Sequence, residues 1–224
     1  MNNPMTLRVL ARLLSYPDAE LVAHREELLE VLRSENTFSP KVRNELGSLL
    51  QWLGTADRYE IEEAYVECFD RGRSSSLHLF EHVHGDSRDR GQAMVDLLDT
   101  YRLGGMVLSA RELPDHLAVF LEFASTQPAG LAESLLAEMA HILNSIHTAL
   151  VRRESRYAPL LAAAIELSGE PLKEVPLETE QSMDEAWEEP PAFGGCAAQG
   201  QSKPAQAQPI HFSPRQHTNP GVRS

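Results

Sequence analysis

The sequence predicts an all-α protein, a single helical bundle of about eight helices with a disordered C-terminal tail. Apolar residues recur every three to four positions through almost all of 1–168, as they do on one face of a helix. No stretch shows the alternation of apolar and polar residues that is typical of a half-buried strand. The composition changes near residue 169, and eight of the 14 prolines lie in 170–224. We therefore expect an all-α domain at 1–168 and an acidic, Pro/Gln-rich, mostly disordered tail at 169–224.

Local start and stop signals mark the first four helices. Tyr16-Pro17 ends the first helix, and Asp18 can cap the second. Ser39-Pro40 places an N-cap residue before a proline at the first position of the third helix, which runs to Gly54. Asp57 opens the fourth helix. Their apolar stripes comprise Leu10, Leu13 and Leu14; Leu21, Leu28, Leu29 and Leu32; Leu46, Leu49, Leu50 and Leu53; and Ile61, Ala64, Tyr65, Cys68 and Phe69.

Four more helices are expected after the polar region 70–90, which encloses only a short apolar piece. The first of them ends at Gly104-Gly105, a pair that favours a helix C-terminus. Asp115 is the expected N-cap of the next helix, because it follows Leu113-Pro114 and precedes an apolar run. The first of these four helices has the apolar stripe Met94, Leu97, Leu98 and Tyr101. The last two helices span about 129–154 and 155–167.

The composition excludes several classes of protein. The chain carries 33 acidic and 20 basic residues, a formal charge of −13, which argues against general nucleic-acid binding. The two cysteines, Cys68 and Cys196, form no CxxC motif, which argues against a disulfide scaffold and a cysteine-rich zinc site. No apolar run approaches the ~18 residues of a membrane span, and the N-terminus lacks a signal-peptide pattern. We therefore expect a cytoplasmic protein that neither binds nucleic acid nor inserts into a membrane.

A metal site is one interpretation of the region 70–90. His78 and His82 are four positions apart and would share a helix face, and Asp86 follows them. Such a set could serve a metal-dependent hydrolase, but the HExxH frame of zinc peptidases is absent. Surface or capping roles for these histidines are the simpler alternative.

An anion site is a second interpretation of the same region. Its four arginines could grip a phosphate, although no P-loop or GxGxxG frame accompanies them. The alternative is that they pair with nearby aspartates and fix an irregular loop to the bundle. Acyl transfer by one of the serines at 74–76 would need a GxSxG frame, which is absent. The arginines are Arg71, Arg73, Arg88 and Arg90, and the aspartates are Asp70, Asp86 and Asp89.

A protein-binding surface is a third interpretation, and it draws on two segments that are distant in sequence. Asp115 and His116 could join Glu81 and His82 to line an acidic groove. An amphipathic peptide could lie in such a groove, with aromatic side chains beneath it. Those aromatic residues are Tyr65, Phe69 and Phe80.

Four segments in the same parts of the chain resemble the assembly chaperones of respiratory nitrate reductase. These chaperones form the NarJ-like branch of an all-α family of redox-enzyme maturation chaperones that also includes the TorD-like proteins. The resemblance covers about 1–168 in order and without large gaps. The segments are RLLSYPDAEL (Arg12 to Leu21), FDRGRSSSLHLFEHVHGDSRDRGQAMVDLL (Phe69 to Leu98), SARELPDHLAVFLEF (Ser109 to Phe123) and RESRYAPLL (Arg153 to Leu161).

The resemblance implies a system-specific chaperone rather than an enzyme. Its partner would be the apo catalytic (alpha) subunit of nitrate reductase, bound chiefly through the N-terminal segment of that subunit. The chaperone would hold the subunit competent for insertion of molybdenum cofactor and iron–sulfur clusters and would delay membrane docking. It would bind no cofactor stably itself. The resemblance also allows cofactor-delivery proteins as further partners. A chaperone for another molybdoenzyme is the nearest alternative, and a His/Asp metal-dependent hydrolase is the alternative from another class.

The resemblance also implies where the client would bind. The family's functional face matches Tyr65, Phe69 and Asp70 at a helix end, and Pro114, Asp115 and His116 at a turn. Because Tyr65 and Phe69 also lie on an apolar stripe, a purely structural role is open for both. Together with the groove residues, the candidate client-binding set is Tyr65, Phe69, Asp70, Arg71, Glu81, His82, Arg88, Glu112, Asp115 and His116.

Overall fold

A computed structural model describes residues 4–35, 38–85, 87–109 and 112–176. These residues form ten α-helices and one short 3₁₀ helix, which confirms the all-α prediction. Within the described ranges, none of the helices has both the length and the apolar character needed to cross a membrane. The helices are α1 (Pro4–Leu13), α2 (Ala19–Ala23), α3 (Arg25–Ser34), α4 (Pro40–Thr55), α5 (Arg58–Phe69), the 3₁₀ helix (Arg73–Ser75), α6 (Leu79–His84), α7 (Asp89–Leu103), α8 (Leu117–Thr126), α9 (Ala129–Arg152) and α10 (Ala158–Leu167).

Three of the expected N-caps are confirmed by their hydrogen bonds. The side chain of Asp18 accepts from the Leu21 N–H at 2.8 Å, and that of Asp57 accepts from the Tyr59 N–H at 2.8 Å. The hydroxyl of Ser39 accepts from the Val42 N–H at 3.3 Å. Each cap satisfies one of the N–H groups that the first turn of a helix leaves without a partner.

The helix count differs from the expected eight in two places. The predicted second helix is broken at His24 into α2 and α3. Arg25 donates to the Val22 carbonyl at 3.1 Å, an acceptor that a continuous helix would use for its own backbone. The short apolar piece after the first polar stretch, which is not among the eight expected helices, forms the short helix α6.

Two helix pairs form the centre of the core. Helix α1 packs along α8, and α10 packs along α9. Burying a leucine or isoleucine side chain contributes about 2 kcal/mol, so this interior supplies most of the stabilisation. The fully buried residues of these four helices include Leu10, Leu117, Leu121, Leu136, Leu143, Ile146, Leu150, Leu160, Leu161 and Ile165.

Helix α7 is attached through a smaller cluster. Tyr101 is fully buried against Phe123 and Val119, and its hydroxyl donates to the Pro114 carbonyl at 2.7 Å. Gly104 caps α7 and lies against the ring of Phe123, where a Cβ would come within 2.4 Å of a ring carbon. The other stripe residues of this helix, Met94, Leu97 and Leu98, are only half-buried. Most of the expected core face of α7 is therefore partly exposed.

The chain after α10 is held along α9 as far as residue 176. Two buried side chains of α9, Asn144 and Thr148, bind the backbone of residues 170–176, which we call the strap. The predicted domain boundary at 168 stays a prediction, but this contact continues the bundle to residue 176. The short helix expected near 183–187 and the rest of the tail lie outside the described residues.

Removing the strap should destabilise the bundle. A chain that ends at residue 168 loses the hydrogen bonds that the Lys173 and Val175 N–H groups donate to Asn144 and Thr148. Two net hydrogen bonds of about 1 kcal/mol each correspond to a melting midpoint lowered by roughly 5 °C at this chain length. Calorimetry against a matched chain that ends at residue 176 measures the difference. Equal midpoints for the two chains would show that the strap contributes nothing.

Candidate functional site

A groove lies over the packed helices α1 and α8. Its lining also includes residues near the C-terminus of α5 and in the turn at 112–116, and its volume is about 670 Å3. We call it the α1–α8 groove. Its polar and aromatic lining comprises Arg8, Arg12, Ser15, Tyr16, Tyr65, Asp70, His78, Glu112, His116 and Glu122, and Ala11, Leu113, Ala118 and Val119 complete it.

The aromatic residues expected beneath a bound peptide are mostly core residues. Tyr65 is buried, and its hydroxyl donates to the Leu14 carbonyl at 2.8 Å. Phe69 is buried against Tyr65 and Tyr157, with ring centroids 4.9 and 5.2 Å away. The aromatic side chain that is open to the groove is Tyr16, which is 48% exposed and packs edge-on against Tyr65.

One wall of the groove is fixed by a backbone clasp between two distant segments. His78 and His116 form an isolated antiparallel bridge. The Leu79 N–H donates to the Asp115 carbonyl at 2.9 Å, and the Leu117 N–H donates to the Leu77 carbonyl at 2.8 Å. The residues that precede α6 and α8 are thereby held side by side.

The carboxylate of Asp115 lies inside this clasp and is completely buried. It accepts a hydrogen bond from Nδ1 of His78 at 3.2 Å and one from the Phe80 N–H at 3.4 Å. A guanidinium nitrogen of Arg90 donates to it at 3.4 Å. Asp115 therefore links α6, α7 and the start of α8 from within.

The predicted role of Asp115 as an N-cap is wrong. The cap of α8 is His116, whose Nδ1 accepts from the Ala118 N–H at 3.2 Å. The clasp bonds of its own backbone keep Asp115 turned inward, where its carboxylate reaches the first turn of α6 instead. Because that carboxylate has no exposed surface, direct contact between Asp115 and a client is not available in this conformation.

The electrostatics of the clasp follow from burial and from these contacts. Burial by itself would raise the pKa of the Asp115 carboxyl, but His78, Arg90 and the Phe80 N–H outweigh it and hold that pKa below its ordinary value. The hydrogen bond to Asp115 raises the pKa of His78. Burial, reinforced by the neighbouring His78, lowers the pKa of His116 to about 4. His116 is thus the neutral partner, as its role as a hydrogen-bond acceptor requires.

The other candidates from the polar region support the clasp or lie elsewhere. Glu81 accepts from the Ser76 hydroxyl at 2.6 Å and from Arg90 at 3.3 Å. A ring nitrogen of His82 lies 2.8 Å from the Ser76 carbonyl oxygen. Arg71 lines a separate pocket beside Cys68, and Arg88 is exposed without lining the groove. Of the ten candidates, the structure brings four together in the groove lining, namely Tyr65, Asp70, Glu112 and His116.

The side chains proposed for hydrolase chemistry are engaged in structural contacts. His78 faces Asp115 and His82 faces a backbone carbonyl, while Asp86 lies outside the described residues. Ser75 donates to the Cys68 carbonyl at 2.5 Å, which fixes the 3₁₀ helix. Among the residues that the structure describes, no group of three or more His, Cys, Asp or Glu side chains is arranged to hold a metal ion.

Sequence reasoning missed the contribution of α1 and α8 to the groove. Arg8 and Arg12 lie one helical turn apart on α1, and Glu122 is exposed on α8. The sequence did contain a signal for these charged residues, because each of the three interrupts an apolar run at a position that must face away from the apolar stripe of its helix. Nothing in the sequence, however, indicated that these two faces would lie side by side.

Acid should destabilise the folded chain through His116. A histidine whose pKa is lower in the folded state than its ordinary 6.5 loses stabilisation as the pH falls from 6.5 towards 4, because the unfolded chain takes up the proton first. His116→Asn retains a good N-cap without a titrating group. Between about pH 7 and about pH 4.5, the free energy of unfolding should fall by roughly 2 kcal/mol more in the original chain than in this variant. Urea titrations measure it, and parallel pH profiles would contradict the assignment.

Comparison with known proteins identifies the family. The sequence profile of the family described as nitrate reductase delta subunit matches residues 35–163. The chain is 42% identical to the nitrate reductase molybdenum cofactor assembly chaperone NarJ of Escherichia coli strain K12, over 82% of each protein. It is 39% identical to the probable nitrate reductase molybdenum cofactor assembly chaperone NarW of the same strain, over 82% of this chain and 80% of the relative.

A more distant relative has a similar extent. The chain is 30% identical to the probable nitrate reductase molybdenum cofactor assembly chaperone NarJ of Bacillus subtilis strain 168, over 70% of this chain and 84% of the relative. The similarity therefore extends over most of the bundle rather than over one motif. This chain belongs to the nitrate reductase delta subunit family and is a NarJ-like member of it.

Proposed function

We propose that this chain is an assembly chaperone dedicated to a respiratory nitrate reductase. It would act in the cytoplasm, bind the apo catalytic subunit chiefly through its N-terminal segment, and hold that subunit competent for insertion of molybdenum cofactor and iron–sulfur clusters. It would also delay membrane docking, and it would catalyse no reaction of its own. The observation that carries this proposal is the 42% identity over 82% of both chains to a relative named as such a chaperone.

The α1–α8 groove is the surface that we propose for the client. It combines exposed carboxylates with an exposed tyrosine and apolar side chains, a lining suited to an amphipathic segment that carries basic residues. Its exposed acidic groups are Asp70, Glu112 and Glu122. Burying the apolar face of the client would supply most of the affinity, and the carboxylates would set orientation and association rate.

We assign Asp115 a positioning role within this proposal. Its buried carboxylate holds His78 and Arg90 and so fixes the wall of the groove that carries Glu112 and His116. The candidates on the other side of the clasp, Glu81 among them, would act through the same wall and not by touching the client.

Deleting the gene tests the function directly. Nitrate reductase subunits should still be synthesised, but the enzyme should contain little molybdenum and show little activity. Metal analysis of the enzyme purified from the deletion strain measures the outcome, with the strain carrying the gene on a plasmid as the control. A normal molybdenum content would rule out the chaperone function.

The identity of the client separates this proposal from the nearest alternative. Tagged chain recovered from cytoplasm should carry the catalytic subunit of nitrate reductase, identified by mass spectrometry. Recovery of a different molybdoenzyme subunit in its place would instead support a chaperone for that enzyme.

Reversing one groove charge should weaken client binding. Glu122→Lys places a cation beside Arg8 and Arg12 in the groove lining, so a basic client peptide should bind about fivefold more weakly, with a smaller dependence on salt. Titration calorimetry with a peptide of the client's N-terminal segment measures the change. Glu30→Lys, an exposed α3 position outside the groove, is the matched control. Equal weakening by both variants would show that net charge matters and the groove does not.

A further inference from the structure

Two side chains of α9 bind the main chain of the strap at 170–176. Oδ1 of Asn144 accepts from the Lys173 N–H at 2.6 Å, and Nδ2 of Asn144 donates to the Pro171 carbonyl at 3.4 Å. One helical turn further along α9, the Thr148 hydroxyl oxygen accepts from the Val175 N–H at 3.1 Å. The bonds fall on alternate residues, which is the pattern of an extended chain that presents one edge to α9.

The two α9 side chains are fixed for this purpose. Asn144 also donates to the Ala140 carbonyl at 2.9 Å, and Thr148 donates to the Asn144 carbonyl at 2.8 Å. These bonds within α9 orient the amide and the hydroxyl, and both side chains are buried beneath the strap. The strap itself buries little apolar surface, since Pro171 and Leu172 are exposed and Val175 is only half-buried. The hydrogen bonds from α9 therefore depend on the path of the strap's backbone and not on its side chains.

The opposite edge of the strap faces a second groove. In an extended chain successive N–H groups point to opposite sides, so those of Leu172 and Glu174 point away from α9. Within the described residues, neither N–H takes part in a hydrogen bond. Both residues line a groove of about 650 Å3 between α4, α9 and α10. Its apolar lining includes Leu49, Val151, Ala158 and Pro159.

Four basic side chains, Lys41, Arg152, Arg156 and Lys173, and three carboxylates, Glu45, Glu154 and Glu174, line this second groove. Its rim carries Arg152 and Arg156, and among the described residues no carboxylate lies within ion-pair distance of either guanidinium. The guanidinium of Arg156 lies over the ring of Trp52, 5.2 Å from the ring centroid, which leaves its N–H groups at the edge open to an acceptor. Lys41, also on the rim, is already paired with Glu45 at 4.0 Å. In a chain of formal charge −13, two such arginines beside an open backbone edge are suited to a carboxylate.

We propose that the strap and this groove form a second polypeptide-binding site, separate from the α1–α8 groove. It takes an extended segment that pairs with the main chain of Leu172 and Glu174, places apolar side chains on the groove floor, and directs a carboxylate to Arg152 and Arg156. Addition of a strand to an exposed edge is an established mode of peptide recognition, in which main-chain bonds supply affinity and pockets supply selectivity.

The probe is a fluorescein-labelled peptide of alternating valine and glutamate, titrated against the full chain by fluorescence anisotropy. Glu174→Pro removes the N–H that faces the groove and keeps the preceding residue extended, so the strap itself is retained. It should weaken binding at least tenfold. Glu174→Gln, the matched control, keeps that N–H and should bind within about twofold of the original chain or more tightly, because a like charge is removed.

Amide exchange measured by NMR separates loss of the site from loss of the strap. In Glu174→Pro, the Lys173 and Val175 amides should keep their slow exchange, and in the original chain the bound peptide should slow exchange at Leu172 and Glu174. Glu122→Lys should leave binding of this peptide unchanged, which keeps the test independent of the client groove. Absence of binding to the original chain, or binding to Glu174→Pro as tight as to the original, would overturn the proposal.

Discussion

The buried carboxylate of Asp115 is the constraint on which the groove side of the molecule depends. A carboxylate without exposed surface is costly unless it is paired and hydrogen-bonded, and here a histidine, an arginine and a backbone N–H share it. Those three donors belong to the start of α6 and to α7, whereas Asp115 immediately precedes α8. Satisfying one charge therefore fixes the relative position of three helices and of the turn that lines the groove.

The same interaction compensates for weak apolar attachment of α6 and α7. In α6 only Leu79 is buried, and in α7 only Tyr101 is, so little apolar surface holds this part to the bundle. Parts of a protein with few buried contacts open at lower free energy than the core does. Polar contacts through Arg90 and the Tyr101 hydroxyl add direction, because a hydrogen bond is lost when its partners shift by a fraction of an ångström.

Most of the fold could be predicted from local sequence signals. The site could be predicted only in part, because it depends on contacts between residues that are distant in sequence. The caps at Asp18, Ser39 and Asp57 act within two or three residues, so the sequence alone indicates them. Asp115 carries the same kind of local signal, but its partners lie 25 to 37 positions upstream, and they determine where its side chain points. The apolar stripe correctly predicted that Tyr65 is buried. The match to the family's functional motif did not show whether Tyr65 forms the wall of a groove or contacts the client.

Removing one partner from a buried charge network affects stability differently from replacing the whole network with apolar residues. This difference helps to explain why the clasp is polar. Removing one partner leaves a buried charge uncompensated, whereas apolar residues of similar volume in place of the whole network can be neutral or stabilising. Stability alone therefore does not require Asp115 to be charged. What the charge adds is geometry, since a carboxylate accepts from His78 and Arg90 only in defined directions, while apolar side chains would tolerate several packings. A groove whose wall is set in this way keeps one shape before any client arrives, so less free energy is spent on ordering it when the client binds.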